Sequence, residues 1–311
     1  MLSRNNIRIK VLQALYAHEM NPMDTIAAEK FLMKSINNSY KLYLLTMLYL
    51  QKVASYSLKD FEIKAKKYVP SEDDKKVSLK LYENPVIKAL RDNDVFQKIL
   101  KKEGIIQLID DDLVRQLYKT FIESDYYETY RTTVSTPLRE HQYAIVRLYM
   151  TMRESEVFDE YLFDHFPTWD DDESLVYGAV KRSVRELPQN DQFFVEQLPN
   201  SEFVDELGKD LIYRVLRNDE ELQAMVAARL KNWQEDRVAL LDMLMMKMAI
   251  CEFLYFDSIP TKVTINEYVN VAKLYSTDKS KRFINGILDR LMQELMEEGR
   301  IQKSGRGLID E

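Results

Sequence analysis

Two short clusters of cations, one near each end of the chain, carry residue types that can hold a polyanion. Arg4, Arg8 and Lys10 lie within the first ten residues with no acidic residue among them. A spacing of four puts Arg4 and Arg8 on one side of a helix, where both can meet phosphates. Gln13 and Tyr16 follow, an amide that can reach an unstacked base edge and a ring that can stack on one, which is how single-stranded RNA is recognised. The second cluster is Lys279, Ser280, Lys281, Arg282, Phe283 and Asn285. It falls where a last helix should begin. Free amide N–H groups at a helix N-terminus favour a phosphate oxygen, and neighbouring cations deepen the local potential. Each cluster also has a plainer reading. Arg4 and Arg8 serve equally as an ordinary solvated face, with Tyr16 a core residue whose hydroxyl reaches the surface; Lys281 and Arg282 serve as solubilising charge; Phe283 either packs in the core or stacks on a base.

Other polar groups point away from catalysis. The three histidines, His18, His141 and His165, fall in separate helical segments, and none has a second His or Cys at metal-ligand spacing. Asp164 and His165, followed by Asp170, Asp171, Asp172 and Glu173, superficially resemble a helical metal-dependent phosphohydrolase, but such sites need several separated His and Asp ligands and this chain has too few. No Walker-type loop and no Gly-x-Gly-x-x-Gly is present. The expectation is no catalytic residue, no metal and no cofactor. Asn266-Glu267 reads as a structural pair that satisfies helix ends or ties helices together. Asp242 precedes the apolar run 243–256 and suits either a helix N-terminal turn or a polar interface to a partner.

Composition bounds the scaffold that must hold these groups. With 311 residues the chain can bury a full core as one or two domains. Seven glycines and eight prolines are too few for the many tight turns of a hairpin or barrel protein, so long helices lead. The one cysteine, Cys251, cannot form an internal disulfide, and no signal segment opens the chain, which points to a reducing, cytoplasmic setting. The Leu-rich run 42–50 is interrupted by Thr46 and bounded by Lys41 and Lys52, well short of the ~20 residues of a membrane helix. A net charge of −7 argues against indiscriminate nucleic-acid binding, so any such surface must be local.

Apolar periodicity predicts a first helix over about 5–19, ended by Asn21-Pro22, then helices over 23–35 and 39–67, with Pro70 closing that unit. Shorter helices follow over 86–102, 111–123, 124–131 and 137–163. Thr168 and the acidic run 170–173 announce a helix over 169–186, since carboxylates complement the dipole in a first turn. Further helices are expected over 202–217, 220–231, 235–256, 264–275 and 278–298, the last stopped by Gly299.

Two stretches resemble the ends of a NusB-family protein. The first runs from Ser3-Arg4 through Arg8 to Leu12-Gln13-Ala14-Leu15-Tyr16. The second, over 203–295, includes Lys231-Asn232-Trp233, Ala239-Leu240-Leu241-Asp242, Ala249-Ile250-Cys251-Glu252-Phe253-Leu254 and Ile259-Pro260. It closes with Val263-Thr264-Ile265-Asn266-Glu267, Ala272-Lys273 and Lys281-Arg282-Phe283-Ile284-Asn285-Gly286-Ile287-Leu288-Asp289. The resemblance implies an all-α fold, a pair of small helical bundles with an additional helical insertion. Residues 1–20 would be the first helix, 21–197 the insertion and 198–311 the remainder of the RNA-binding domain.

It further implies a transcription antitermination factor that binds boxA-type single-stranded RNA, together with the ribosomal protein that doubles as NusE, within an RNA polymerase antitermination complex. Arg4, Arg8, Lys10, Gln13, Tyr16, Lys279, Ser280, Arg282, Phe283 and Asn285 would contact the RNA, and Asp242 would face a partner. Asn5 and Asn6 stand where the family often has a continuous basic run, and Lys279 where an acid is common, so the affinity of the protein alone should be weak. The competing expectation is a helical protein adaptor that kept the fold and binds through insertion aromatics such as Tyr126, Tyr127, Tyr130, Tyr143 and Tyr149.

Overall fold

In the computed structural model, every residue is described except 70, 72–77, 231–237 and 311, with 309 and 310 described in their backbone alone. Among the described residues every regular element is helical. Pro70 and Lys231-Asn232-Trp233, singled out from sequence, lie outside the described residues. The chain divides into two compact units, one of Met1 with Asn37–Leu198 and the other of Leu2–Ile36 with Pro199–Glu311.

The unit containing Asn37–Leu198 is built on α2, Thr25–Ala65, a single helix where two were expected. Asn37 and Asn38 are only mildly unfavourable in a helix, and with no Gly or Pro near them the flanking apolar residues carry the helix through. Residues 42–50 are buried all round, as a helix at the centre of a core must be. Around it pack α3 (Pro85–Arg91), α4 (Asp94–Lys102), α5 (Asp111–Ile122), α6 (Asp125–Thr132), α7 (Leu138–Arg153), α8 (Glu156–His165) and α9 (Trp169–Glu186). Side-chain caps start several of these: Asn93, Asp110, Ser124 and Ser155 each accept from an amide two or three residues on. Thr168 does not cap α9 as its position suggested. Its hydroxyl donates instead to Asp172 at 3.1 Å, which is buried and also accepts from Ser39 at 3.0 Å.

The other unit holds α1 (Arg4–Met20), a π-helical segment (Phe203–Lys209), α10 (Asp210–Arg217), α11 (Asp219–Ala227), α12 (Leu240–Tyr255), α13 (Thr261–Tyr275) and α14 (Asp278–Glu297). The start of α2 belongs with them because Ala28, Leu32 and Ile36 are buried there, so this unit reaches beyond the boundary read at residue 20. A capping box opens α1: the Asn6 amide donates to Ser3 Oγ at 3.2 Å and the Ser3 amide to Asn6 Oδ1 at 3.0 Å. α12 is buried on nearly every face and forms the middle of the unit. Gly208 lies where the π-helical segment meets α1; a Cβ there would stand 3.1 Å from Ile7 Cγ2. Gly299, at φ +66°, ends α14 as expected, letting the Arg300 amide return to the Leu295 carbonyl at 2.9 Å.

Candidate RNA interface

The second unit is organised around a buried charge. Arg8 is 2% exposed and grips Glu252 of α12 with two bonds, Nε to Oε1 at 2.7 Å and Nη2 to Oε2 at 2.8 Å. Its Nη1 stands 3.4 Å from Glu267 of α13, which also accepts from Asn5 at 2.8 Å. Tyr268 donates to Glu252 at 2.6 Å and Thr264 at 3.2 Å, so that carboxylate accepts four bonds in a dry setting. Burial opposes the charge on Arg8, but the attraction of Glu252 and the bonds to it prevail and hold its pKa above that of an ordinary arginine. Burial, then Glu252, pushes the Tyr268 phenol well above its usual value. The network ties α1, α12 and α13 together, and Asn266-Glu267 thus includes a helix-tying residue.

This placement corrects the surface reading of the first cluster. Arg8 is committed to Glu252 inside the unit, and Lys10 is also 2% exposed. The spacing that put Arg4 and Arg8 on one side of α1 holds, but the helix is covered on that side from Arg8 to Leu15. Arg4 remains exposed, its guanidinium 4.8 Å from the Phe203 ring and 4.0 Å from Glu202. Tyr16 is 40% exposed. Gln13 is half-buried and donates to the Tyr275 hydroxyl at 3.4 Å, which fastens α1 to the end of α13, three residues before α14 begins.

Asp242 is also corrected. It is 3% exposed in the first turn of α12 and accepts from Ser276 Oγ at 2.6 Å, so it braces the α13–α14 turn from within and presents no face to a partner. Thr277 caps α14, accepting from the Ser280 amide at 3.1 Å and donating to the Ser280 hydroxyl at the same distance. Around this cap Lys279, Arg282 and Asn285 are exposed, Ser280 and Phe283 half-buried, and Lys281 is turned back to Asp278 at 2.9 Å. Among the described residues no carboxylate pairs with Lys279 or Arg282. The structure thus brings Gln13, by its bond to Tyr275, to the same turn from which Lys279, Ser280 and Arg282 project. Tyr275, Ser276 and Thr277, which build that turn, were missed; the run Ser-Thr-Asp before a basic helix start is the signal that marks the cap.

Of the insertion aromatics, Tyr127, Tyr130 and Tyr149 are core residues; Tyr126 is half-buried and Tyr143 exposed. No helix among the described residues is long and apolar enough to cross a membrane.

The NusB family model matches residues 174–293, beginning within α9 and ending within α14. The transcription antitermination protein NusB of Chloroherpeton thalassium is 42% identical over 117 residues, 36% of this chain and 56% of the relative. That of Salinibacter ruber is 36% identical over 104 residues, 33% of this chain and 65% of the relative. That of Bacillus velezensis is 31% identical over 123 residues, 40% of this chain and 93% of the relative. The chain thus spans less than two thirds of the length of the first two, and nearly all of the third. No solved structure matches it. With a NusB protein aligned over almost its whole length, and a family match running through the helices that build the Lys279–Arg282 turn, the chain belongs to the NusB family.

Proposed function

We propose that this protein is a cytoplasmic RNA-binding transcription antitermination factor. It takes boxA-type single-stranded RNA together with a NusE-type ribosomal protein, inside an RNA polymerase antitermination complex that supports ribosomal RNA transcription. Family membership and the name shared by its relatives support this, as does the exposed pair Lys279 and Arg282 at the capped start of α14, which meets no carboxylate among the described residues. That pair is the observation that carries the reading. Phosphate oxygens would meet the two cations and the Ser280 hydroxyl, Asn285 would reach a base edge, and Tyr16 and Phe283 offer ring faces. Arg4 adds a peripheral cation. Arg8 and Gln13 act from behind, holding α1 in place, and Lys10 is buried. The protein works by binding and needs no catalytic group.

The test is titration of a boxA-type RNA into the full chain at two salt concentrations, with and without the NusE-type protein. Binding should weaken as salt rises and tighten with the partner. Lys279→Glu with Arg282→Glu should weaken it by tenfold or more, about 1.4 kcal/mol or above. Unchanged affinity in that double variant would remove the α14 turn from the interface. No RNA binding under any condition would leave the protein adaptor as the better reading.

A further inference from the structure

A second basic face lies on the unit containing Asn37–Leu198. α7 and α9 run antiparallel there: Gln142, early in α7, donates to the Arg185 and Leu187 carbonyls at 2.8 Å, and Arg153, ending α7, pairs with Glu173 early in α9. Ala144, Ile145, Leu148 and Met152 of α7 face the core, as do Val176, Val180 and Val184 of α9. A spacing of four lines up Arg139, Tyr143 and Arg147 along the outer side of α7, and Tyr177, Lys181 and Arg185 along that of α9.

Two of these cations rest on rings in place of carboxylates. Lys181 Nζ lies 4.7 Å from the Tyr177 ring centre, and the Arg147 guanidinium 5.6 Å from that of Tyr126. Among the described residues no acid pairs with Arg139, Arg147, Lys181, Arg182 or Arg185. Cations late in α9 complement its dipole, which is reason enough for Arg185. That reason fails for Arg139, which sits in the first turn of α7, where the dipole disfavours positive charge. Their gathering on one face of a chain with net charge −7 is what a polyanion site requires.

Gly178 gives an independent indication. It is exposed in the middle of α9, and a Cβ there would meet nothing within 4 Å. No packing demands glycine, and alanine would favour the helix by about 1 kcal/mol. The bare backbone lets a strand lie close between Lys181 and Arg182 on one side and Ser174 on the other. On α7, Tyr143 is 48% exposed and held by an edge contact to Tyr126 at 5.5 Å, a ready stacking platform.

We infer that the α7–α9 face is a second single-stranded RNA surface, taking phosphates on Arg139, Lys181, Arg182 and Arg185 and a base on Tyr143. It rests on the proposed function only for the class of ligand, since it shares no residue with the α14 turn. The probe is labelled oligouridine of about 15 nucleotides, near the upper footprint of a single-strand site, titrated into the full-length protein. Lys181→Glu with Arg185→Glu should lower its affinity at least tenfold and flatten the dependence of log K on log salt by about 1.4, at roughly 0.7 per lost phosphate contact. Gly178→Phe should also weaken binding, with net charge and helicity unchanged. Lys279→Glu with Arg282→Glu should leave most oligouridine binding intact while reducing that of boxA-type RNA, so the two surfaces fail separately. Oligouridine affinity unchanged in the Lys181/Arg185 variant overturns the inference. So does polyglutamate bound as tightly as oligouridine and lost in that variant, which would make the face a site for an acidic protein segment.

Discussion

Arg8 shows how far burial can redirect a charged side chain whose spacing alone suggests a surface. With Glu252 at 2.7 and 2.8 Å and both groups nearly inaccessible, removing one partner strands the other's charge. Glu252→Ala should therefore lose about 3–5 kcal/mol of unfolding free energy in denaturant titration. An effect under 1 kcal/mol would mean that water reaches the pair. Cys251, next along α12, is fully buried, and burial pushes its thiol far above the ordinary range, so the reactive thiolate is scarce. A thiol reagent at mild alkaline pH should modify it only after unfolding. Modification of the native protein at the rate of a free thiol would contradict its placement.

At the scale of elements, the junctions hold most of the polar detail. Asn84 donates to the Tyr130 hydroxyl at 3.0 Å and the His141 carbonyl at 2.9 Å, while Tyr130 OH and His141 Nδ1 lie 2.7 Å apart, tying α6 and α7 to the start of α3. Burial, then the charge of Lys80, lowers the His141 pKa below its model-peptide value of 6.5. A depressed pKa means that the unfolded chain takes the proton first. This junction's contribution is complete above pH ~6.5 and is lost as pH falls through the folded pKa. The urea midpoint of the native protein should decline over that window, and that of His141→Gln should decline less; parallel curves would exclude His141 as the cause. At the α13–α14 junction, Asp242→Ala leaves the Ser276 hydroxyl without its acceptor. It should remove about 1–3 kcal/mol and weaken boxA-type RNA binding without changing surface charge.

For the whole molecule, two compact units, each with its own buried apolar residues, make a single two-state transition unsuitable as a description of unfolding. Calorimetry should resolve two components, and Glu252→Ala should lower only the one belonging to the unit that contains α12. A single peak that shifts as a whole would show the units to be thermodynamically coupled. Binding of boxA-type RNA at the α14 turn is expected to raise the component of that same unit, since a ligand that binds only the folded form stabilises it by mass action.

Helix content, the core role of residues 42–50, the stop at Gly299 and the NusB resemblance were all legible from the sequence, because they depend on neighbours within a few turns or on motifs read as strings. The position of the α14 start and the exposed charges on its first turn were legible for the same reason, although the Thr277 cap itself was not. Tertiary structure alone decided which cations remain outside. Arg8 meets Glu252 across 244 positions of sequence, and nothing near either residue announces the other. Asp242 likewise turns inward to Ser276, and Tyr149 disappears into the core while Tyr143, six residues earlier on the same helix, stays at the surface. A helix carries its side chains in every direction at once. Only the packing of its neighbours selects which of them meet water, and that selection is made by residues distant in the chain.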